Sequence, residues 1–199
     1  MARKPRQTED GVIYHVMSQV NRRRYLIKYS KYKKAILRIL KRASDIYKCE
    51  IINFCIMNNH IHLLVKPALD NLSRCMQWIF GMIAREYNRL SGGCGRLWRG
   101  RFKSEIVKDE EYYRNCFEYI VYNPLRAKIA RRIDEYKYSG IYHIINNDYS
   151  IIKKPEPEMK AFIDEMIRKA EDPDYLKEKS KPKSEYGFYP GKPGRRKAA

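Results

Sequence analysis

Short apolar runs alternate with amphipathic stretches over the first two thirds of the chain. Four runs rich in β-branched and aromatic residues predict strands, and they cover residues 11–17, 51–57, 60–65 and 104–107. Apolar residues recur at helical spacing in three other stretches, which predicts amphipathic helices that begin at residue 30, run from 71 to about 90, and run from 109 to about 122. The order is strand, helix, strand, strand, helix, strand, helix.

This order predicts an α+β protein with a ferredoxin-like fold, in which a βαββαβ unit forms an antiparallel sheet with helices on one face, and an additional helix, which carries Tyr119, follows the unit. Residues that favour helix N-termini open the three helices, namely Ser30, Asn71 and Asp109. Gly92 and Gly93 are expected to end the second helix. Asn58 and Asn59 separate two strands, and asparagine tolerates the positive φ angles of a tight hairpin turn.

The composition changes after residue 145, so we divide the chain into three parts. Residues 1–150 form the predicted domain, and residues 151–176 form an appendage with a helix from about 156 to 170. Residues 177–199 hold eight Lys or Arg against two Glu, together with three Pro and three Gly. That composition predicts a disordered basic tail.

The charge of the chain predicts a polyanionic partner. Its 42 Lys and Arg against 23 Asp and Glu give a net charge of +19, which suits either nucleic acid or an anionic membrane surface. No apolar run approaches the roughly 20 residues that span a bilayer, and the first residues lack the apolar core of a signal peptide. We therefore expect a cytoplasmic protein. The five cysteines include no CxxC pair, so we expect reduced thiols.

Two residue pairs have spacings that suit a catalytic site. His60 and His62 lie at i and i+2 on a strand and so share one face, where neutral imidazoles can bind a metal ion. Two hydrogen-bonded histidines without a metal are the alternative. Tyr119 and Asn123 lie at i and i+4 on the third helix, on one side of a turn. An aromatic core stripe explains that pair equally well, since the chain contains 17 tyrosines.

Three segments in sequence order resemble a known family: HIHLLVKP, LWRGRFKSEIV and YIVYNPLRAKIA. The chain resembles the HUH nucleases with a single catalytic tyrosine, over roughly residues 11–145. Within that group it is similar to the single-strand insertion-sequence transposases and to the REP-associated tyrosine transposases. The YxxxN pattern of Tyr119 and Asn123 favours the second branch, because the first more typically has Gln at the last position.

The resemblance implies a function and a set of site residues. It implies that His60, His62 and Asn123 bind Mg²⁺ or Mn²⁺ and that Tyr119 is the nucleophile. The enzyme would be a metal-dependent endonuclease and strand transferase that cuts single-stranded DNA near hairpins through a 5′-phosphotyrosine intermediate. Insertion-sequence relatives act as dimers and REP-associated relatives need not, so monomer and homodimer both remain open.

Basic and aromatic residues near the expected site are candidates for binding nucleic acid. The basic residues would contact phosphates and the aromatic ones an unpaired base; they are Arg22, Arg23, Arg24, Arg96, Arg99 and Arg101, with Trp98 and Phe102. A solvated charged face is the alternative for the arginines, and Trp98 could instead close the edge of the core. His15 fits a core role or a ligand role equally well, and we expect His143 to pack or contact DNA.

Two other functions remain compatible with the sequence. Ferredoxin-like sheets with basic and aromatic surfaces also occur in noncatalytic modules that bind single-stranded nucleic acid, and the basic tail could associate with a membrane surface. The chain also departs from common family patterns, with Asn58 where proline is frequent and Gln19 where arginine is frequent. A mobile-element transposase and a specialised host protein are both compatible with these departures.

Overall fold

Four strands form one antiparallel sheet at the centre of the computed structural model, which describes residues 8–9, 11–68 and 71–179. The strands are β1 (Tyr14–Gln19), β2 (Glu50–Ile56), β3 (His60–Lys66) and β4 (Lys103–Ile106). Their order across the sheet is β2-β3-β1-β4, so β3 and β1 are central. This is the strand order of the βαββαβ ferredoxin-like fold, and the predicted fold class is confirmed.

Two long helices pack against each other beside the sheet. They are α1 (Ser30–Tyr47) and α2 (Leu72–Ser91). Aromatic rings join them, with the Tyr32 and Tyr87 ring centroids 4.8 Å apart and those of Tyr47 and Trp78 5.8 Å apart. Both helices bury the apolar stripe that their sequence pattern predicts.

A third helix, α3 (Glu110–Val121), packs over the sheet face that carries the histidines. The Asp109 side chain caps it by accepting a hydrogen bond from the Tyr112 backbone N at 2.7 Å, as the sequence predicts. The Asn53 side chain on β2 donates to the Phe117 carbonyl at 3.4 Å, and the Tyr119 ring contacts the rings of His15 and His62. Helices therefore cover both faces of the sheet.

Four further helices follow α3 within the described residues, and they are α4 (Asn123–Arg126), α5 (Gly140–Ile145), α6 (Pro157–Lys169) and α7 (Pro173–Lys179). The predicted helix at 156–170 corresponds to α6. Lys179, at the end of α7, pairs with Glu118 of α3 at 2.8 Å, and both side chains are largely buried. Residues 177–179 are thus helical, so the disorder predicted for them is wrong. Residues 180–199 lie outside the described part.

The predicted hairpin at Asn58 and Asn59 forms, because β2 and β3 pair antiparallel and the Met57 N donates to the His60 carbonyl at 2.9 Å, but the expected positive φ angles and the Ser30 cap are wrong. Asn58 and Asn59 do not have positive φ. Instead the Asn58 Oδ1 accepts from the buried Lys33 Nζ at 2.7 Å, and that burial lowers the pKa of Lys33 to about 8. Ser30 does not cap α1, because its hydroxyl hydrogen-bonds the Tyr138 hydroxyl at 2.7 Å.

Asn71 precedes α2 but makes no side-chain capping bond, and its Oδ1 is buried. Gly92 does end α2 in the left-handed conformation, at φ 67°, as predicted. Among the described helices, none combines the length and the apolar character that a membrane span requires.

Candidate functional site

His60 and His62 lie at the end of β3 nearest the β2–β3 turn. In the register with β1, His60 pairs with Gln19 and His62 with Met17. The two imidazole centroids are 4.9 Å apart and the rings are nearly perpendicular. The alternation of side chains along a strand thus places both rings on one sheet face, as predicted.

The Asn59 amide fixes the orientation and the proton of the His60 ring. Its Nδ2 donates to the Arg23 carbonyl oxygen at 3.0 Å, so its Oδ1 faces His60 Nδ1, at 2.7 Å. Because an amide oxygen only accepts, Nδ1 of His60 carries the proton. The lone pair is then on Nε2 of His60, where it can bind a cation.

The His15 ring orients the His62 ring, as Asn59 orients His60. The sequence alone left the role of His15 open. The His15 Nε2 and the His62 Nδ1 are 3.0 Å apart in the buried sheet, and the His15 Nδ1 lies 3.9 Å from the Cys116 sulfur. If each ring donates from Nδ1, the bonds run from His62 to His15 and from His15 to Cys116. Nε2 of His62 is then also left with its lone pair.

Burial keeps these imidazoles neutral near pH 7. Burial lowers the pKa of His15 to about 4. It also lowers the pKa of His60 to about 4, although a hydrogen bond with the Asn123 side chain acts in the opposite direction. The pKa of His62 is well below its ordinary value, first because of burial and then because His60, His15 and Arg126 are close. Neutral imidazole is the form that binds metal ions.

Tyr119 and Asn123 meet the histidines from α3 and the start of α4. The Tyr119 ring centroid is 5.4 Å from that of His62 and 6.1 Å from that of His15. The Asn123 Nδ2 donates to the Tyr119 carbonyl at 3.0 Å. The structure thus brings together the four residues predicted for catalysis and metal binding. Tyr119 is also buried, with 8% of its surface exposed. It therefore belongs both to the predicted site and to the aromatic core stripe that the sequence offered as the alternative.

Arg126 is a cation at this site that sequence reasoning missed. Its guanidinium carbon lies 5.1 Å from the Tyr119 ring centroid. Its Nη1 donates to the Tyr119 carbonyl and its Nε to the Lys179 carbonyl, both at 3.0 Å. The available signal was its position seven residues after Tyr119, which corresponds to about two helical turns.

The two basic segments predicted to bind nucleic acid lie side by side at the same end of the sheet. Backbone bonds join them, from Asn21 N to the Leu97 carbonyl at 2.7 Å and from Arg99 N to the Gln19 carbonyl at 2.8 Å. Arg22 and Arg23 have positive φ, at 53° and 55°, a conformation that costs energy for non-glycine residues. The Arg23 carbonyl is the group that orients Asn59.

The candidate residues of these segments differ in exposure. Arg22, Arg24, Arg96, Arg99 and Arg101 are exposed, and Arg23 and Phe102 are partly buried. Trp98 is buried, and its Nε1 donates to the Phe80 carbonyl at 2.7 Å. Stacking of a base on an exposed Trp98 face is therefore a wrong expectation, because this ring closes the edge of the core.

Two exposed tyrosines beside the first basic segment were missed. Tyr25 is 65% exposed and Tyr29 is 57% exposed, whereas most aromatic side chains in this protein are buried or half-buried. The signal in the sequence is RRRYLIKYS, in which each tyrosine directly follows a basic residue. His143, in contrast, packs on Phe54 and binds Asp148 at 2.8 Å, so it lies in the core.

Among residues 8–9, 11–68 and 71–179, no group of three or more His, Cys, Asp or Glu side chains is arranged to hold a metal ion. The candidate metal donors that the site geometry provides are the imidazoles of His60 and His62 and the amide oxygen of Asn123. Such a set leaves coordination positions for water and for substrate oxygens.

Several known proteins resemble this chain. A Haemophilus influenzae protein assigned as a REP-associated tyrosine transposase is 24% identical over 113 residues, which are 51% of this chain and 64% of that protein. The solved structure of a REP-associated tyrosine transposase bound to a REP hairpin matches with a TM-score of 0.59 and 18% identity, covering 78% of this chain and 93% of that one. A Deinococcus radiodurans R1 structure assigned as a transposase matches with a TM-score of 0.42 and 16% identity, covering 74% of this chain and 98% of that one.

At 18% identity the REP-associated structure shows a shared fold. The family model described as transposase IS200-like matches residues 8–123, which are more than half of the chain and include all four residues of the candidate site. The chain belongs to the IS200-like transposase family.

Proposed function

We propose that this transposase cuts and rejoins single-stranded DNA with Tyr119 as the nucleophile and a divalent metal ion bound by His60, His62 and Asn123. The observation that supports this most is the contact between the tyrosine ring and the histidine pair, with 5.4 Å between the centroids of Tyr119 and His62. The two groups lie on a helix and a strand that are far apart in sequence. This contact would bring the nucleophile, Tyr119, next to the metal-binding pair, His60 and His62.

The residues present fit a divalent cation. Both rings have Nδ1 occupied by a hydrogen bond, with Asn59 for His60 and with His15 for His62, and such bonds orient metal-binding histidines in proteins. Asn123 adds an amide oxygen next to His60. Bound there, Mg²⁺ or Mn²⁺ would polarise the scissile phosphate and neutralise the charge that develops on its oxygens.

The proposed chemistry conserves the phosphodiester bond energy. The Tyr119 oxygen attacks phosphorus, the bond between phosphorus and O3′ breaks, and the phenolic proton is lost while O3′ gains one. The products are a 3′-hydroxyl and a 5′-phosphotyrosine. A 3′-hydroxyl can attack that linkage in the reverse reaction, so strands are rejoined without ATP. Arg126, beside the Tyr119 ring, is placed to attract the phosphate.

The proposed substrate is single-stranded DNA next to a hairpin. The protein in the REP-associated structure is bound to a REP hairpin, and by similarity we assign the same class of ligand to this chain. The two basic segments, residues 21–24 and 96–101, support this assignment, because they meet at the end of the sheet that carries His60. Phosphate contacts by arginine would hold the strand there.

The decisive experiment is to trap the covalent adduct. Wild-type protein, hairpin-flanked oligonucleotides and Mn²⁺ should give a protein–DNA adduct on a denaturing gel, and Tyr119→Phe should abolish it, because phenylalanine lacks the attacking oxygen. Tyr122→Phe is the matched control, since Tyr122 is a fully buried tyrosine of the same segment, and it should keep the adduct. An adduct that persists in Tyr119→Phe would refute the assignment of the nucleophile.

A noncatalytic module for single-stranded nucleic acid is the second candidate. The exposed Tyr25 and Tyr29 favour it, because exposed aromatic rings among basic residues bind unpaired bases without any chemistry. Metal dependence separates the two functions. Binding that survives EDTA, with no adduct over a panel of hairpins, would support the module, whereas loss of cleavage in His60→Ala would support the enzyme.

A further inference from the structure

A second feature of the molecule is an open cleft of about 580 Å³ between α2 and the segment before β4. Its volume lies within the range of about 300–1,000 Å³ that is usual for small-ligand sites. Three aromatic rings line it. The Phe80 and Phe102 centroids are 5.9 Å apart with the rings tilted by 30°, and Trp98 meets Phe80 edge to face at 5.2 Å.

One wall of the cleft is formed by small residues of α2, which leave it open. Gly81 and Ala84 both line it. A Cβ added at Gly81 would meet nothing within 4 Å, so the glycine is not required by close packing inside the described part of the chain. A glycine inside a helix costs about 1 kcal/mol relative to alanine. Gly81 therefore leaves open space at this wall of the cleft.

The cleft lies beside the candidate active site but on the other sheet face. Ser18 of β1 contributes to its lining, and it follows Met17, which pairs with His62 across the β1–β3 ladder. Successive side chains of a strand point to opposite faces. A DNA strand that passes the edge of the sheet can therefore reach both places.

The charge at the cleft indicates the occupant. Arg101 lines it and is exposed, and the residues from Arg96 to Lys103 include three further cations and no acidic residue. A planar aromatic group attached to a negatively charged phosphate suits a cleft with aromatic lining and cations at its edge. An apolar segment of a protein would leave these cations without a counter-charge.

We propose that this cleft binds one unpaired base of single-stranded DNA, with the base stacked on the partly buried Phe102 ring and Arg101 on an adjacent phosphate. The proposal rests on the proposed function for the identity of the nucleic acid. The Ser18 hydroxyl and the Gln77 amide, both at the cleft, supply hydrogen-bonding groups for the base edge. The cleft is thus a candidate for sequence preference, separate from the residues that perform the chemistry.

Tryptophan fluorescence can test this directly, because the chain has only two tryptophans. Trp78→Phe leaves Trp98 as the sole reporter. The probes are a 12-nucleotide single-stranded DNA of mixed sequence and an abasic oligonucleotide of the same length, which carries the same backbone charge. We expect the DNA to quench Trp98 and to bind about tenfold more tightly than the abasic probe, because base stacking on aromatic side chains contributes that much.

Gly81→Leu, made in the Trp78→Phe background, fills the cleft and should remove most of the difference in affinity between the two probes. Ser91→Leu, which introduces the same leucine side chain at an exposed position of the same helix outside the cleft, should retain the difference. Equal binding of both probes by the parent, or an unchanged difference in Gly81→Leu, would overturn the proposal. Base-dependent quenching without any Tyr119 adduct would instead reject the catalytic proposal and keep the cleft.

Discussion

At the scale of single residues, the most informative side chain is His15, which bonds His62 at 3.0 Å. Hydrogen bonds from a neighbouring residue to a metal-binding histidine usually contribute 10- to 100-fold to metal affinity. We therefore expect His15→Phe, which keeps a buried ring, to weaken Mn²⁺ binding by at least about tenfold in titration calorimetry. His143→Phe is the control, because His143 is a buried histidine that bonds Asp148 instead. Equal affinities in the two variants would exclude the role assigned to His15.

The same residue gives the protein a predictable response to acid. The pKa of His15 is about 4 in the folded protein against an ordinary value of 6.5, because burial disfavours the charged ring. Between those two values the unfolded chain binds more protons than the folded one, so the free energy of unfolding falls as the pH falls from 6.5 towards 4. For His15 alone the loss from pH 7 to 4.5 is about 2–3 kcal/mol.

Urea unfolding at the two pH values, in EDTA, measures this effect. His15→Phe removes the titrating group, so the variant should lose about 2 kcal/mol less than the wild type over the same interval. An identical loss in both proteins would mean that His15 does not titrate as its burial indicates.

At the scale of secondary-structure elements, the sheet and its three main helices were predictable because each has a local signal. Strand alternation places His60 and His62 on one face, and Asp109 caps α3. The bond from His15 to His62 was not predictable, because it depends on the pairing of strands 47 residues apart. The amides of Asn58 and Asn59 resemble turn signals, and only the tertiary structure shows that they bind Lys33 and Arg23.

The docking of α5 on β2 depends on a close backbone approach at Gly140. A Cβ at this position would lie 2.3 Å from the Asn53 Oδ1 and 2.9 Å from the Phe54 backbone N. Asn53 is also the residue that donates to the Phe117 carbonyl on α3. We expect Gly140→Ala to lower the free energy of unfolding by about 2 kcal/mol, because the added methyl group must displace backbone.

Gly81→Ala is the matched substitution, since its added methyl group meets nothing and it lies in a helix. It should leave stability unchanged or raise it by up to about 1 kcal/mol. Thermal unfolding of both variants tests the pair. A Gly140→Ala protein as stable as Gly81→Ala would show that α5 can move away from β2 at little cost.

At the scale of the whole molecule, the charge of +19 makes two contributions to DNA binding that can be separated. Long-range attraction depends on the total charge, whereas contacts with phosphate depend on where each cation lies. Arg101→Gln and Lys41→Gln lower the net charge equally. Arg101 lies at the cleft next to the sheet edge, and Lys41 is an exposed residue of α1.

Binding of a single-stranded oligonucleotide, measured over a range of salt concentrations, distinguishes the two contributions. Each phosphate contact makes the slope of log affinity against log salt more negative by about 0.7 for single strands. Arg101→Gln should therefore make the slope less steep by about that amount, and Lys41→Gln should leave the slope almost unchanged. Equal and small effects would mean that the charge of Arg101 acts only through the general field, and then Arg101 would not contact a phosphate of the bound strand.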